Sequence, residues 1–278
     1  MSSALNKVLN ENKSLIKKIE SSTLKPSWEN FVSPLQQVNE KLSRVWSQIN
    51  HLNSVMNSDE LRVVYNKNLN KITKYHSELS QNEIIYKKFK KIKTSKDFIK
   101  LTNPQKKIIT DEITGFELGG VGLNSIKKNE FKKILAKLSK LSSSFEENLL
   151  DSVNNYSLTI KDKKKLKGIP KDVIEKANND AKIQKKMGWS FSLDFPSYLP
   201  LMQYADDREL RREMYYAYAT KASDLGDKTT DNTKNIDNIL LNKQKLSNLL
   251  NFPNYASMAL ETKMANSSDE VIKFLEDL

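Results

Sequence analysis

A mainly α chain carrying one small two-stranded β ribbon is the fold class the sequence predicts, on three observations. Long stretches repeat apolar residues at three- and four-residue steps, the spacing that lays one stripe along a helix. Only two short stretches alternate at period two, as a strand with one buried face does. Seven Gly and seven Pro make up 14 of 278 residues, roughly 5% against a usual share of about 12%, too few for a turn-rich barrel.

The elements follow in order. Leu35, Val38, Leu42, Val45, Trp46, Ile49, Leu52 and Met56 form the first helical stripe. A second runs from Leu61 to Leu79 through Val64, Tyr65, Leu69 and Ile72. A third starts at Asn103-Pro104, where proline sits at a position whose amide would be unpaired anyway, and passes through Ile108, Ile109, Ile113 and Phe116. A fourth covers about 125–153, with Phe131, Ile134, Leu135, Leu138, Leu141, Phe145 and Leu149 on one face. Antiparallel packing of these four predicts an elongated helical bundle. Between the third and fourth lies GFELGGVGL, residues 115–123, with four of the seven glycines. It lacks the preceding strand and the Gly-Lys-Ser/Thr ending of a phosphate loop, so it predicts a tight turn with positive φ at Gly119, Gly120 or Gly122.

The period then changes. Tyr156, Leu158 and Ile160 alternate with Ser157 and Thr159, and Trp189, Phe191, Leu193 and Phe195 alternate with Ser190, Ser192 and Asp194. These predict paired strands, the second ended by Pro196. Between them, 162–188 holds a Lys-rich loop and a helix from Ile169-Pro170. Asp206 with Glu209 predicts a capping box for a helix running through ELRREMYYAYATKAS to a stop at Gly226. Another helix covers Ile236–Leu250, closed by Phe252-Pro253. The last opens on Ser267 with Glu270, and Val271, Phe274, Leu275 and Leu278 share one face. It ends on an apolar residue without a cap, as either a chain cut short or a short natural C-terminal helix would. The domain expectation is a helical domain over 1–153, a ribbon with an inserted helix over 154–205, and the start of a further domain over 206–278.

The charge of +12 is local. Residues 87–107 carry nine Lys against one Asp, and 161–186 carry ten Lys against four acids. Only five basic residues are Arg, namely Arg44, Arg62, Arg208, Arg211 and Arg212, whereas base and phosphate recognition favours the bidentate guanidinium. The Lys segments therefore read as solvated helix faces, and nucleic acid is not an expected partner. No stretch approaches the ~20 apolar residues of a membrane span and the N-terminus has no apolar signal core, so a cytoplasmic protein is expected.

Self-contained catalytic chemistry is hard to find. Cys is absent and there are two His, which rules out thiol nucleophiles and Cys or multi-His zinc cages built from this chain alone. His51 and His76 lie on two different predicted helices, without a Glu or His at i+3 or i+4, and read as structural, His51 beside Leu52 of a packed face. No Gly-x-Ser-x-Gly turn exposes a serine. Glu146-Glu147 and Asp206-Asp207 suit helix surfaces and N-termini. Tyr198, Tyr204, Tyr215, Tyr216 and Tyr218 could line a groove for an extended ligand; core packing with rim hydroxyls is the plainer reading.

Several stretches, in order, resemble one family. These are WENFVSPL (28–35), SQINHLNSVMNSDELR (47–62), FELGGVGL (116–123), LDFPSYLPLM (193–202), ELRREMYYAYATKASD (209–224) and NFPNYASMALETKM (251–264). The chain resembles the zinc metallo-oligopeptidases typified by oligopeptidase A and thimet oligopeptidase, from about Trp28 to Leu278. The resemblance implies the N-terminal part of a helical, channel-type metalloendopeptidase acting on short peptides. It implies zinc as the cofactor of the full-length enzyme, held by the two His of a His-Glu-x-x-His helix and a further Glu, with the motif Glu activating the zinc-bound water. That motif does not occur in these 278 residues. No catalytic, cofactor-binding or metal residue is therefore assigned, no zinc is expected on this chain alone, and a missing C-terminal catalytic half is an expected partner. A stand-alone helical peptide- or anion-binding protein without catalysis is the alternative.

Overall fold

The computed structural model describes residues 2–278, and it is mainly helical with one two-stranded antiparallel sheet. Twelve α-helices are present among the described residues: α1 Ser2–Ser21, α2 Ser33–Val55, α3 Asp59–Ser80, α4 Glu83–Lys93, α5 Asn103–Leu118, α6 Ser125–Asn154, α7 Lys171–Ile183, α8 Phe195–Tyr204, α9 Arg208–Ala219, α10 Thr233–Leu249, α11 Tyr255–Leu260 and α12 Ser268–Glu276. Strands β1 Leu158–Ile160 and β2 Trp189–Phe191 pair with Leu158 opposite Phe191 and Ile160 opposite Trp189. The chain divides into two compact units, one comprising Met1–Lys140 with Leu240–Leu278 and the other Leu141–Ile239.

In the first unit, α1 carries Leu5, Val8, Leu9 and Ile19 on its buried face. The first three pack with Leu42 and Ile49 of α2 and with Tyr65, Ile72 and Tyr75 of α3. Buried Asn12 interrupts the α1 stripe and donates to the Tyr75 hydroxyl at 3.1 Å. That polar residue in an apolar register hides the helix from a reading of apolar spacing. A second core joins Phe31, Val32 and Leu35 to Ile85, Phe89 and Ile92 of α4 and to Ile109, Ile113 and Phe116 of α5. Phe89 is fully buried, 4.7 Å edge-on to Phe31 and 5.9 Å from Phe116. Helix α4 holds the first part of the Lys-rich run of 87–107, and its buried residues at i, i+4 and i+7 make its lysines the outer face of an amphipathic helix. A third core sets Phe131 and Ile134 of α6 against Leu246 of α10, with Tyr255 and Met258 of α11 packed on it.

The turn after α5 takes positive φ at Gly120, as the glycine cluster predicts. The α2 stripe is shorter than its spacing suggests. Leu35, Leu42 and Ile49 are buried, but Leu52 and Met56 are 42% and 70% exposed, so His51 does not sit beside a packed face. It lies near the exposed end of the helix.

In the second unit the ribbon packs Ile160 and Phe191 with Leu166, Ile169, Ala177, Leu201, Leu210 and Met214. Gly188, with φ +106°, begins the return into β2. A Cβ there would lie 2.2 Å from the Ile160 carbonyl oxygen, so only glycine lets the two backbones meet. The second strand is shorter than the alternation through Leu193 and Phe195 predicts. It ends at Phe191, and Phe195, 62% exposed, opens helix α8. Pro196 therefore does not stop the strand, which has ended five residues earlier; it starts a helix, because proline in the first turn forfeits no helical hydrogen bond.

The α9 cap also differs from the expected box. Asp207 is the N-cap, its carboxylate accepting from the Leu210 amide at 3.0 Å. Asp206 instead pairs with Lys167 at 3.2 Å. Helix α9 stops at Ala219, short of Gly226, where the Thr220 hydroxyl donates back to the Tyr216 carbonyl at 2.8 Å. At α12 the Ser267 hydroxyl accepts from the Glu270 amide at 3.1 Å, while the Glu270 carboxylate takes the Asn266 amide at 2.7 Å, one residue before the cap.

Candidate functional site

The candidate site lies in the second unit, where Tyr216 alone of the five tyrosines lines a groove. The C-terminal end of α6 supplies Ser152 and, just beyond it, Asn155 and Tyr156. Helix α9 and the loop after it supply Tyr216, Thr220, Lys221, Leu225 and Asp227. Together they bound an open groove of about 350 Å³.

The five tyrosines divide into two sets. Tyr198 and Tyr218 stack at 3.9 Å with 14° between ring planes, half-buried against the ribbon core. The Lys221 ammonium lies 3.4 Å from the Tyr218 ring centroid, a cation–π contact. Tyr204, Tyr215 and Tyr216 are 53–58% exposed, so the core reading holds for only part of the cluster. Burial, reinforced by Tyr218 and Tyr215, pushes the Tyr198 hydroxyl above its ordinary pKa, and burial with the Glu213 charge does the same to Tyr156. Both hydroxyls therefore stay protonated donors at neutral pH.

The loop bordering the groove is held from beneath. Asn232 is buried and donates to the Phe145 carbonyl at 3.1 Å, while its own amide oxygen accepts from Asn148 at 3.0 Å and Asn235 at 2.9 Å. Its backbone amide reaches the Ala222 carbonyl at 3.1 Å, and the Ala222 amide donates to the Ser152 hydroxyl at 3.0 Å. Asp227 accepts from the Thr229 amide and hydroxyl, each at 2.8 Å, bonds that hold its carboxyl below the usual range. The groove thus presents one fixed ammonium, one carboxylate, aromatic faces and hydroxyls. Those groups suit a peptide main chain and its side chains, but they include no nucleophile–base pair.

Lys221, Asn232 and Ser152 were not legible as site residues. Each is an isolated polar side chain in sequence, and only the return of the loop over α6 brings them together. His51 and His76 lie on α2 and α3 in the other unit. The Glu146-Glu147 pair sits on α6, where Glu147 accepts from the Ser143 hydroxyl at 3.3 Å. Among the described residues, no three His, Asp or Glu side chains converge as metal ligands. A zinc ion therefore does not fit this chain's own residues.

Two comparisons bear on that result. Residues 5–128 match the family described as neurolysin/thimet oligopeptidase, N-terminal domain, and residues 201–278 match peptidase family M3. The chain is 39% identical to oligopeptidase A of Haemophilus influenzae over 254 residues, 91% of this chain and 37% of that protein. It is 36% identical to oligopeptidase A of Escherichia coli over 277 residues, 99% of this chain and 41% of that protein. The chain belongs to the oligopeptidase A/thimet oligopeptidase family. A third relative is the probable cytosolic oligopeptidase A of Arabidopsis thaliana, 37% identical over 262 residues, 91% of this chain and 37% of that protein. The chain thus spans about two-fifths of the length of these relatives, and the tyrosine groove falls partly within the segment matching peptidase family M3. Among the described residues no helix is long and apolar enough to cross a membrane.

Proposed function

We propose that this chain is the N-terminal portion of a zinc-dependent metallo-oligopeptidase of the cytoplasm, whose helices form one wall of a channel that admits short peptides. The observation that carries the reading is the pair of family matches, an N-terminal domain over 5–128 followed by the peptidase family over 201–278, in that order along one chain. On this reading 206–278 begins the catalytic domain and the zinc ligands lie outside these 278 residues, since the two His present cannot supply them. The tyrosine groove contributes aromatic faces and a cation for short peptides, and the Lys-rich faces remain solvated without nucleic acid.

The test is cleavage of a short internally quenched peptide. The purified chain with added zinc should give none above buffer. The chain co-expressed with a polypeptide covering the remaining length of an oligopeptidase A relative, including its His-Glu-x-x-His segment, should cleave the peptide and lose that activity to a chelator. Zinc-dependent cleavage by a clean preparation of the chain alone would overturn the reading. Failure of every such pairing, with tight peptide binding by the chain alone, would favour a non-catalytic peptide-binding protein.

A further inference from the structure

In the first unit, helices α2, α3 and α5 line a half-open pocket of about 240 Å³, with His76 and Gly115 at its exposed rim. Leu35, Leu79 and Phe116 give it apolar sides. Glu112 of α5 lies in its lining with one hydrogen bond, from the Gln36 amide at 2.7 Å. No Lys or Arg lies in ion-pair range of that carboxylate among the described residues. His76 of α3 lies in the same lining, in edge contact with Tyr75 and with no hydrogen bond from its ring among the described residues. Ser80 donates its hydroxyl hydrogen to the Ser77 carbonyl at 3.2 Å and keeps its oxygen lone pairs free to accept.

The fourth observation is Gly115. It sits inside helix α5, where glycine costs roughly 1 kcal/mol against alanine, yet its φ is not positive. A Cβ built there would find no atom within 4 Å. Neither backbone conformation nor close packing requires glycine at this position. Gly115 is exposed in the pocket lining, and its missing side chain leaves the mouth of the pocket open.

From these groups we infer a binding site for a small primary amine with a hydrocarbon body. An ammonium has three N–H donors. The Glu112 carboxylate, the Ser80 oxygen and the neutral His76 ring nitrogen are three acceptors lining one space, the carboxylate supplying the opposite charge. The apolar sides take the hydrocarbon, and the absent Gly115 side chain gives it room. An anionic ligand would face Glu112 uncompensated, and a neutral one would leave the carboxylate without a cation.

The chain has only two His, so proton NMR of the imidazole C–H resonances reads the site directly, with His51 as the internal reference. Titration with 2-phenylethylamine at neutral pH should move the His76 resonance saturably and leave His51 unmoved. 2-Phenylethanol and 3-phenylpropionate should move neither. Glu112→Gln, which keeps an acceptor for Gln36, should weaken amine binding about tenfold or more, the loss expected for a charge-assisted bond. Gly115→Leu should abolish binding while melting no lower than the parent chain; if it fails to fold, Glu112→Gln decides alone. A His76 resonance unmoved by the amine, moved equally by the alcohol, or moved with undiminished affinity in Glu112→Gln would overturn the site.

Discussion

Glu112 and His76 are pushed toward their neutral forms by the protein around them. Burial raises the Glu112 carboxyl above its ordinary value, against the smaller opposing effect of the Gln36 bond. Its contribution to stability is therefore full below the unfolded pKa and lost as pH rises through the folded one. Replacing it by Gln removes a buried charge, so Glu112→Gln should melt higher than the parent at pH 8, with the difference closing toward pH 4. For His76 the sign reverses. Protein packed around the ring lowers its pKa, so its contribution is full above the unfolded value and fades as pH falls through the folded one. Thermal melts of both proteins across pH read these trends directly. At the α9 cap, Asp207→Ala should cost about 1 kcal/mol in urea denaturation, the usual loss for an N-cap. Asp206→Ala, which removes only an exposed pair with Lys167, should cost well under that. Equal losses would reverse the assignment of the cap.

At the scale of elements, α4 is held by its apolar face rather than by its charge. Phe89 is its fully buried anchor, and Phe89→Ala should destabilise the first unit by about 3–5 kcal/mol, as large aromatic truncations in cores do. Lysine substitutions on the outer face of the same helix should leave the melting curve nearly unchanged. Helix α12 is the opposite case. Its apolar residues Phe274 and Leu275 are 63% and 61% exposed, so Phe274→Ser with Leu275→Ser should change stability by no more than about 0.5 kcal/mol. The same pair should reduce self-association of the chain, read by light scattering, because an exposed apolar stripe is an adhesive surface. A large loss of stability in that double variant would mean that the stripe is already packed.

At the scale of the whole chain, most of the long helices were legible in the sequence. Helices α2, α3, α5, α6 and α10 each carry enough apolar residues at three- and four-residue steps to be legible, even where a buried Asn68 or Asn242 interrupts the stripe. Helix α1 is not legible from spacing, because buried Asn12 stands where the stripe needs an apolar residue and donates to Tyr75, a partner 63 residues away. Helix α8 is hidden at its start because Leu193 and Phe195 continue the strand alternation by position alone. The candidate groove was legible only through Tyr216, the one of the five tyrosines that lines it. The Lys221 contact and the Asn232 anchor were not, since both depend on loop closure over α6.

By itself, then, the sequence determined a mainly helical chain with one ribbon, the absence of a zinc-binding motif, and the family. Local spacing and residue chemistry suffice for the first two, and the resemblance of several ordered stretches carries the third. Only the tertiary structure decided which tyrosines are exposed, which aspartate caps α9, and that Glu112, His76 and Gly115 share one cavity. Each of those depends on residues from different elements being brought within a few ångströms, and periodicity along a chain carries no information about such meetings.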